Sequence, residues 1–176
     1  FYAIAMLQIY DTKSRQLLAV PAADPVKIYA CGPTVYRSVH LGNLRSFLLP
    51  DLLRAALASA GQAAVVVQNI TDVGHMVDDT GLEAVDPDQD KMLQQAAQEN
   101  ISALAIARKY EAQYLADLTA LNVTIPEQTP RASETIDSML EIISRLIELD
   151  FAYQAEDGSV FFSAKKFPSY GAISGN

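Results

Sequence analysis

The sequence predicts an α/β protein whose core opens a doubly wound parallel sheet, and three observations carry that reading. Two short apolar runs, "VKIYAC" (Val26 to Cys31) and "AAVVVQN" (Ala63 to Asn69), have the length and composition of buried parallel strands. Between them, "LGNLRSFLLPDLLRAALASAG" spaces its leucines and alanines along a helix and closes on Gly61, a residue suited to a helix stop. A glycine-bearing turn joins the first run to that helix, so the unit reads strand, turn, helix, strand: a βαβ crossover.

The remaining elements follow in order. A turn region between Pro21 and Pro25 precedes the first strand, and Pro50 is expected to kink the helix it lies in. After the second strand, "NITDVGHMVDDTGLEAVDPDQDKM" is a long loop by its Asp, Gly and Pro density, and loops of that length more often serve function than lie idle. Asp90 to Leu121 reads as a long amphipathic helix that can break near Asn100. The polar link "NVTIPEQTPRAS" then leads to a helix for which Ser133 is the expected N-cap, with Glu134 and Asp137 near its positive end. "FAYQAEDGSVFFSA" is a hairpin turning at Asp157 and Gly158. A helix followed by a hairpin leaves the βαβ rhythm, which sets a module boundary near 122 and divides the chain into 1–121 and 122–176.

Composition narrows the function classes. Half of the 176 residues are apolar, enough to bury a core. The formal charge of -8 and a pI near 4.6 argue against a broad nucleic-acid footprint on this stretch, because phosphate binding uses clustered Lys and Arg. No apolar run reaches the roughly 18 residues of a membrane span. The opening "FYAIAMLQIYDTKSR" lacks a basic region and cleavage site, so a cytoplasmic protein is expected. The closing "SYGAISGN" offers no finishing helix or strand, and the expectation is a fragment of a longer chain. The acidic residues Asp78, Asp79, Asp86, Asp88 and Asp90 lack EF-hand spacing and read as a solvated loop.

The chemistry concentrates in "CGPTVYRSVHLGN", residues 31 to 43. In open α/β sheets ligands sit at the carboxyl ends of the strands, where the next helix presents backbone N–H groups to anions. Gly42 lets backbone approach a bound group, and His40 and Asn43 are compact donors at the helix start. The spacing is neither the dinucleotide fingerprint nor the P-loop. From the residues alone, His40 is a phosphate donor or a cap. Cys31, the single cysteine, is a core residue, a nucleophile or one metal ligand.

"KIYACGPTVYRSVHLGNLRSF" resembles the first active-site segment of the cysteinyl-tRNA synthetases, a class I aminoacyl-tRNA synthetase family in which a strand ending C-G-[PI]-T-V-Y leads to the "HIGH" signature. "VVVQNITDV", "LNVTIPEQTPRASETI" and "YQAEDGSVFFSAKKFPSYGAISG" resemble further blocks of that family, so the likeness runs from about Leu7 to Gly175. It implies a Rossmann-like, HUP-type parallel sheet, the first half of a synthetase catalytic domain, with the start of a connective-peptide insertion from about 122. It implies that the intact enzyme joins cysteine to tRNA(Cys) through cysteinyl-adenylate, as a cytoplasmic monomer, using ATP with Mg and one Zn per subunit. Carried over by position, Cys31 resembles the first zinc ligand, and His40, Gly42 and Asn43 stand in the "HIGH" signature, with His40 and Asn43 in catalytic places. Gly32, Thr34 and Thr71 are similar to residues lining the amino-acid and nucleotide pocket. The resemblance expects Cys31 and His40 to face one cavity at the sheet's edge. Most tRNA contacts, the other zinc ligands and the "KMSKS" loop of the family fall outside the matched stretch, so this segment alone is expected to be inactive.

Two departures stand out. Arg37 occupies a place where the family usually has Asp, and Gly74, His75 and Met76 replace a commoner D-D-K pattern, with His75 read as a loop residue. Two other readings stay open. One is the related ATP-dependent cysteine ligase of mycothiol synthesis, which typically reads C-G-I-T-P-Y; the other is a non-catalytic truncated paralogue or binding module.

Overall fold

The computed structural model describes residues 7–73 and 91–173. In chain order the elements are β1 (Gln8–Asp11), β2 (Gln16–Ala19), β3 (Val26–Ala30), α1 (Leu41–Ser59), β4 (Ala64–Gln68), α2 (Lys91–Glu99), α3 (Ala103–Ala120), α4 (Ile136–Glu148), β5 (Ala152–Gln154) and β6 (Val160–Phe162). They divide into two compact units, residues 21–73 with 91–134, and residues 7–20 with 135–173.

The first unit holds the predicted crossover. β3 and β4 pair in parallel, Val26 opposite Ala64 through Ala30 opposite Gln68. α1 connects them, running through a buried Pro50 as one helix. It stops at Gly61, whose φ of +77° is the left-handed conformation that a Cβ disfavours. There the Gly61 and Gln62 amides donate back to Ala58 and Leu57 carbonyls, a Schellman ending. The same ending recurs with Asn at position 100, which separates α2 from α3 where the sequence allows a break, and at Asn122. Val35, Leu44, Ile70, Ile106, Tyr114, Leu118 and Val123 form the core of this unit.

A third extended segment joins the sheet and is absent from the sequence reading. Gln68 and Ile70 donate N–H groups to the carbonyls of Gln128 (2.9 Å) and Pro130 (2.8 Å), and Ala132 donates to Ile70 (2.9 Å), so residues 128–132 lie parallel to β4. The link before it is tied down by Arg54, which donates to Asp51, Glu127 and the Thr124 carbonyl, while Glu127 accepts the Val66 N–H. Residues 122–134 therefore pack with the first unit, and the position near 122 expected as a module boundary falls inside it.

Ser133 is not the N-cap of α4; that place belongs to Thr135, which makes no side-chain cap bond. The Ser133 hydroxyl donates instead to Asp72 Oδ2 (2.6 Å) and its N–H to Asp72 Oδ1 (2.9 Å), so a buried carboxylate has claimed it. Arg108 approaches the same carboxylate at 3.6 Å and also pairs with Glu111, which Arg131 binds in turn.

The second unit contains the antiparallel β1–β2 and β5–β6 hairpins and α4. The β5–β6 turn carries Gly158 at φ +87°, as its Asp-Gly pair predicts. Phe151, Phe162, Phe167 and Tyr170 pack as an aromatic group beside it. Among the described residues no helix is long and apolar enough to cross a membrane. The expectations on Gly74, His75, Met76 and the acidic stretch Asp78 to Asp90 lie outside the described residues.

Candidate functional site

The site begins where β3 gives way to a turn clamped onto the end of β4. Gly32 donates its N–H to Asn69 Oδ1 (3.0 Å), and a Cβ built on Gly32 would stand 1.8 Å from the Asn69 carbonyl oxygen, so only glycine fits. Asn69 also accepts from the Tyr29 hydroxyl (3.1 Å) and donates to Thr71 Oγ1 (3.2 Å). Beneath the turn, the buried Gln68 amide donates to the Cys31 carbonyl (3.3 Å) and accepts from the Tyr114 hydroxyl (2.5 Å). Burial raises the Tyr114 phenol well above the ordinary tyrosine range, because a charged phenolate would lose its hydration there. Gln68 and Tyr114 were not singled out from the sequence, and the one available signal was a polar residue ending a run of valines.

Past Gly32 the chain forms a parallel bridge between Thr34 and Thr71. The Thr71 N–H donates to the Pro33 carbonyl (3.0 Å), and the Val35 N–H to the Thr71 carbonyl (3.1 Å). The structure thus brings together two of the predicted pocket residues, with Val35 fully buried between turn and core.

His40 is extended (φ -83°, ψ 162°) and is the N-cap of α1. Its Nδ1 accepts the Gly42 N–H (3.0 Å), and its carbonyl accepts from Asn43 and Leu44. An Nδ1 that accepts carries no proton, so in the neutral ring Nε2 is the protonated nitrogen, a donor without a partner among the described residues. Gly42 is tight against this ring: an added Cβ would lie 2.8 Å from His40 Cε1. The two readings of His40 are therefore compatible, since one nitrogen caps the helix and the other remains for a ligand.

A cavity of about 100 Å³ follows this turn, with Thr34, Tyr36, Arg37, Ser38, His40 and Asn43 in its wall. Among the described residues the wall carries no carboxylate, although the chain is strongly acidic. Ligand pockets commonly enclose about 300–1,000 Å³, so this space suits one polar group such as a phosphate. Gly32, Gly42 and Thr71 adjoin the wall residues in the chain or by hydrogen bond but are not part of the wall. Cys31 is exposed, its Sγ 3.7 Å from the Gly32 carbonyl, and it too lies outside the cavity wall. Of the two groups expected to face one cavity, the imidazole lines this one and the thiol does not, because the clamp on Asn69 holds Cys31–Gly32 against β4. Among the described residues no three His, Cys, Asp or Glu side chains are grouped to hold a metal ion.

A parallel strand pair joined by a helix, with a polar cavity beyond the carboxyl end of β3, makes this unit an α/β domain. Residues 18–176 match the family model described as tRNA synthetases class I (C) catalytic domain, and the chain belongs to that family. It is 42% identical over 171 residues to a protein named Cysteine--tRNA ligase from Thermus thermophilus, a match spanning 96% of this chain and 34% of that relative. Relatives of the same name from Helicobacter pylori and Deinococcus radiodurans are 38% and 37% identical. These matches span 94% and 96% of this chain, and 33% of each relative. The chain thus spans about a third of the length of the curated relatives it matches.

Proposed function

We propose that this chain is the part of a cysteine--tRNA ligase that builds the nucleotide side of the active site, within an enzyme that activates cysteine with ATP and transfers it to tRNA(Cys). In this reading residues 21–134 belong to the first half of a Rossmann-like, HUP-type core, and the helix and hairpin from 135 onward belong to its connective insertion. The enzyme works as a cytoplasmic monomer, with most tRNA contacts outside this stretch. The observation that carries the proposal is His40: its Nδ1 is occupied by the Gly42 amide while its Nε2–H is left as a donor beside Asn43, at a cavity whose described wall residues include no carboxylate.

Activation is an attack by a carboxylate oxygen of cysteine on the α-phosphorus of ATP. The new P–O bond makes cysteinyl-adenylate as the bond to the bridging oxygen breaks and pyrophosphate leaves. Charge builds on the phosphate oxygens, and donors already in place stabilise it without reorganising. A single such donor is worth about 3 kcal/mol, roughly a hundredfold or more in rate. His40 and Asn43 take that role, Gly42 allows the approach, and Gly32, Thr34 and Thr71 hold the turn that frames the pocket.

Cys31 fits one zinc position by its exposed thiol, yet the described residues supply that single donor where a closed zinc site takes about four. When bound, zinc offers a soft cation that selects a thiolate over a hydroxyl, which separates cysteine from serine better than shape can. Magnesium would accompany the ATP phosphates, as it commonly does.

The test is a chimaera in which this chain replaces the aligned third of the Thermus thermophilus relative. Cysteine-dependent ATP–pyrophosphate exchange is expected, with serine inactive and His40→Ala reduced at least a hundredfold. A folded chimaera that exchanges equally well with His40 removed, or with serine, refutes the proposal. The 176-residue chain alone is expected to show no exchange.

A further inference from the structure

We infer that Arg37 is an additional phosphate contact of this cavity. The inference rests on the nucleotide reading of the site and adds a residue to it.

Four observations support it. Arg37 lies in the wall of the cavity with His40, Ser38 and Asn43. Its guanidinium carbon sits 5.2 Å over the ring of Tyr36, a neighbour in the same wall, and such stacking holds a long side chain in one place and lowers the entropy lost on binding. Among the described residues no carboxylate pairs with Arg37, as with Arg15 and Arg45, whereas Arg54, Arg108, Arg131 and Arg145 each bind one or more. Among the described residues the wall contains no acidic side chain, so none of them competes with an anionic ligand. A planar fork of donors beside a histidine N–H and a helix start matches a phosphate group, which takes two parallel N–H···O bonds from such a fork.

The experiment measures binding of sodium tripolyphosphate, ATP and adenosine to the 176-residue chain by calorimetry at low and moderate salt. Arg37→Ala is expected to weaken tripolyphosphate and ATP about fivefold to tenfold, Arg37→Lys to recover part of that, and Arg37→Asp to weaken binding further. Adenosine, which has no phosphate, should bind equally to all four forms. Arg37 is exposed, so circular dichroism of the variants should match the parent. If Arg37→Ala keeps the parent affinity for tripolyphosphate while His40→Ala loses it, the role of Arg37 is overturned and the nucleotide reading stands. If neither variant alters binding, or the parent does not bind tripolyphosphate, both fall.

Discussion

Removing one oxygen from the floor of the site tests the structural argument most sharply. In Tyr114→Phe the ring stays and the hydroxyl that donates to Gln68 Oε1 at 2.5 Å is lost. Tyr114 and Gln68 are each 1% exposed, so no water replaces the donor. Removing one partner leaves a buried acceptor unsatisfied, which costs about 1–3 kcal/mol, and the middle of that range predicts a loss of about 2 kcal/mol. At about 1.4 kcal/mol per tenfold, amides that exchange by opening of this unit should exchange about thirtyfold faster. The amides to follow are Gln68 and Ile70, bonded to Gln128 and Pro130. Gln68→Met should cost a similar amount, because it strands the Tyr114 hydroxyl and the Cys31 carbonyl. The double variant should cost less than the sum of the singles. The raised phenol adds a pH signature. A folded pKa above the unfolded value of about 10 gives stability that is present below pH 10 and lost as pH rises beyond it, so Tyr114→Phe should decline less steeply in alkali. Exchange within threefold of the parent at Gln68 and Ile70 would refute the claim that this pair holds the turn.

Three further expectations follow from the same geometry. Gly32→Ala should destabilise the first unit by about 3 kcal/mol or prevent its folding, since the new methyl meets the Asn69 carbonyl at 1.8 Å; a parent-like amide exchange pattern would contradict it. Ser133→Ala should cost about 1–2 kcal/mol in hydrogen exchange near residue 70, because buried Asp72 keeps the Ser133 N–H but loses the hydroxyl, and an unchanged rate would show the carboxylate is satisfied otherwise. Glu99 should titrate at about 2, held down first by Lys109 and then by Gln95 and Tyr110. The stabilisation it gives is therefore complete above the ordinary carboxyl range and lost as pH falls towards 2. Side-chain carboxyl NMR of Lys109→Ala should show that titration move back up.

What the sequence disclosed depended on how local each feature is. The crossover, the stop at Gly61, the break at Asn100 and the turn at Gly158 are local, and each follows from apolar period or from a residue that tolerates positive φ. The β1–β2 hairpin escaped because Ile9, Tyr10, Leu17 and Leu18 are all exposed, so no buried face alternates along it, and its left-handed residue is Arg15 rather than Gly or Asn. The segment at 128–132 escaped because Pro126 and Pro130 read as loop. Pro130 contributes to the sheet only through its carbonyl, which needs no N–H. Ser133 was given a local task because serine before an acidic turn is a familiar cap, while its actual partner, Asp72, lies 61 residues earlier. At the site, the family resemblance pointed to His40, Gly42 and Asn43. Which imidazole nitrogen stays free was not legible, since that depends on how the Gly42 amide folds back.

Most directly, the central claim is tested by titrating the isotopically labelled chain with ATP and mapping amide and side-chain shifts by NMR. The account predicts saturable changes at Thr34, Arg37, Ser38, His40 and Asn43, with the His40 ring responding at Nε2 while Nδ1 keeps its bond to Gly42. Changes confined to other surfaces, or a His40 ring indifferent to ATP, would contradict it.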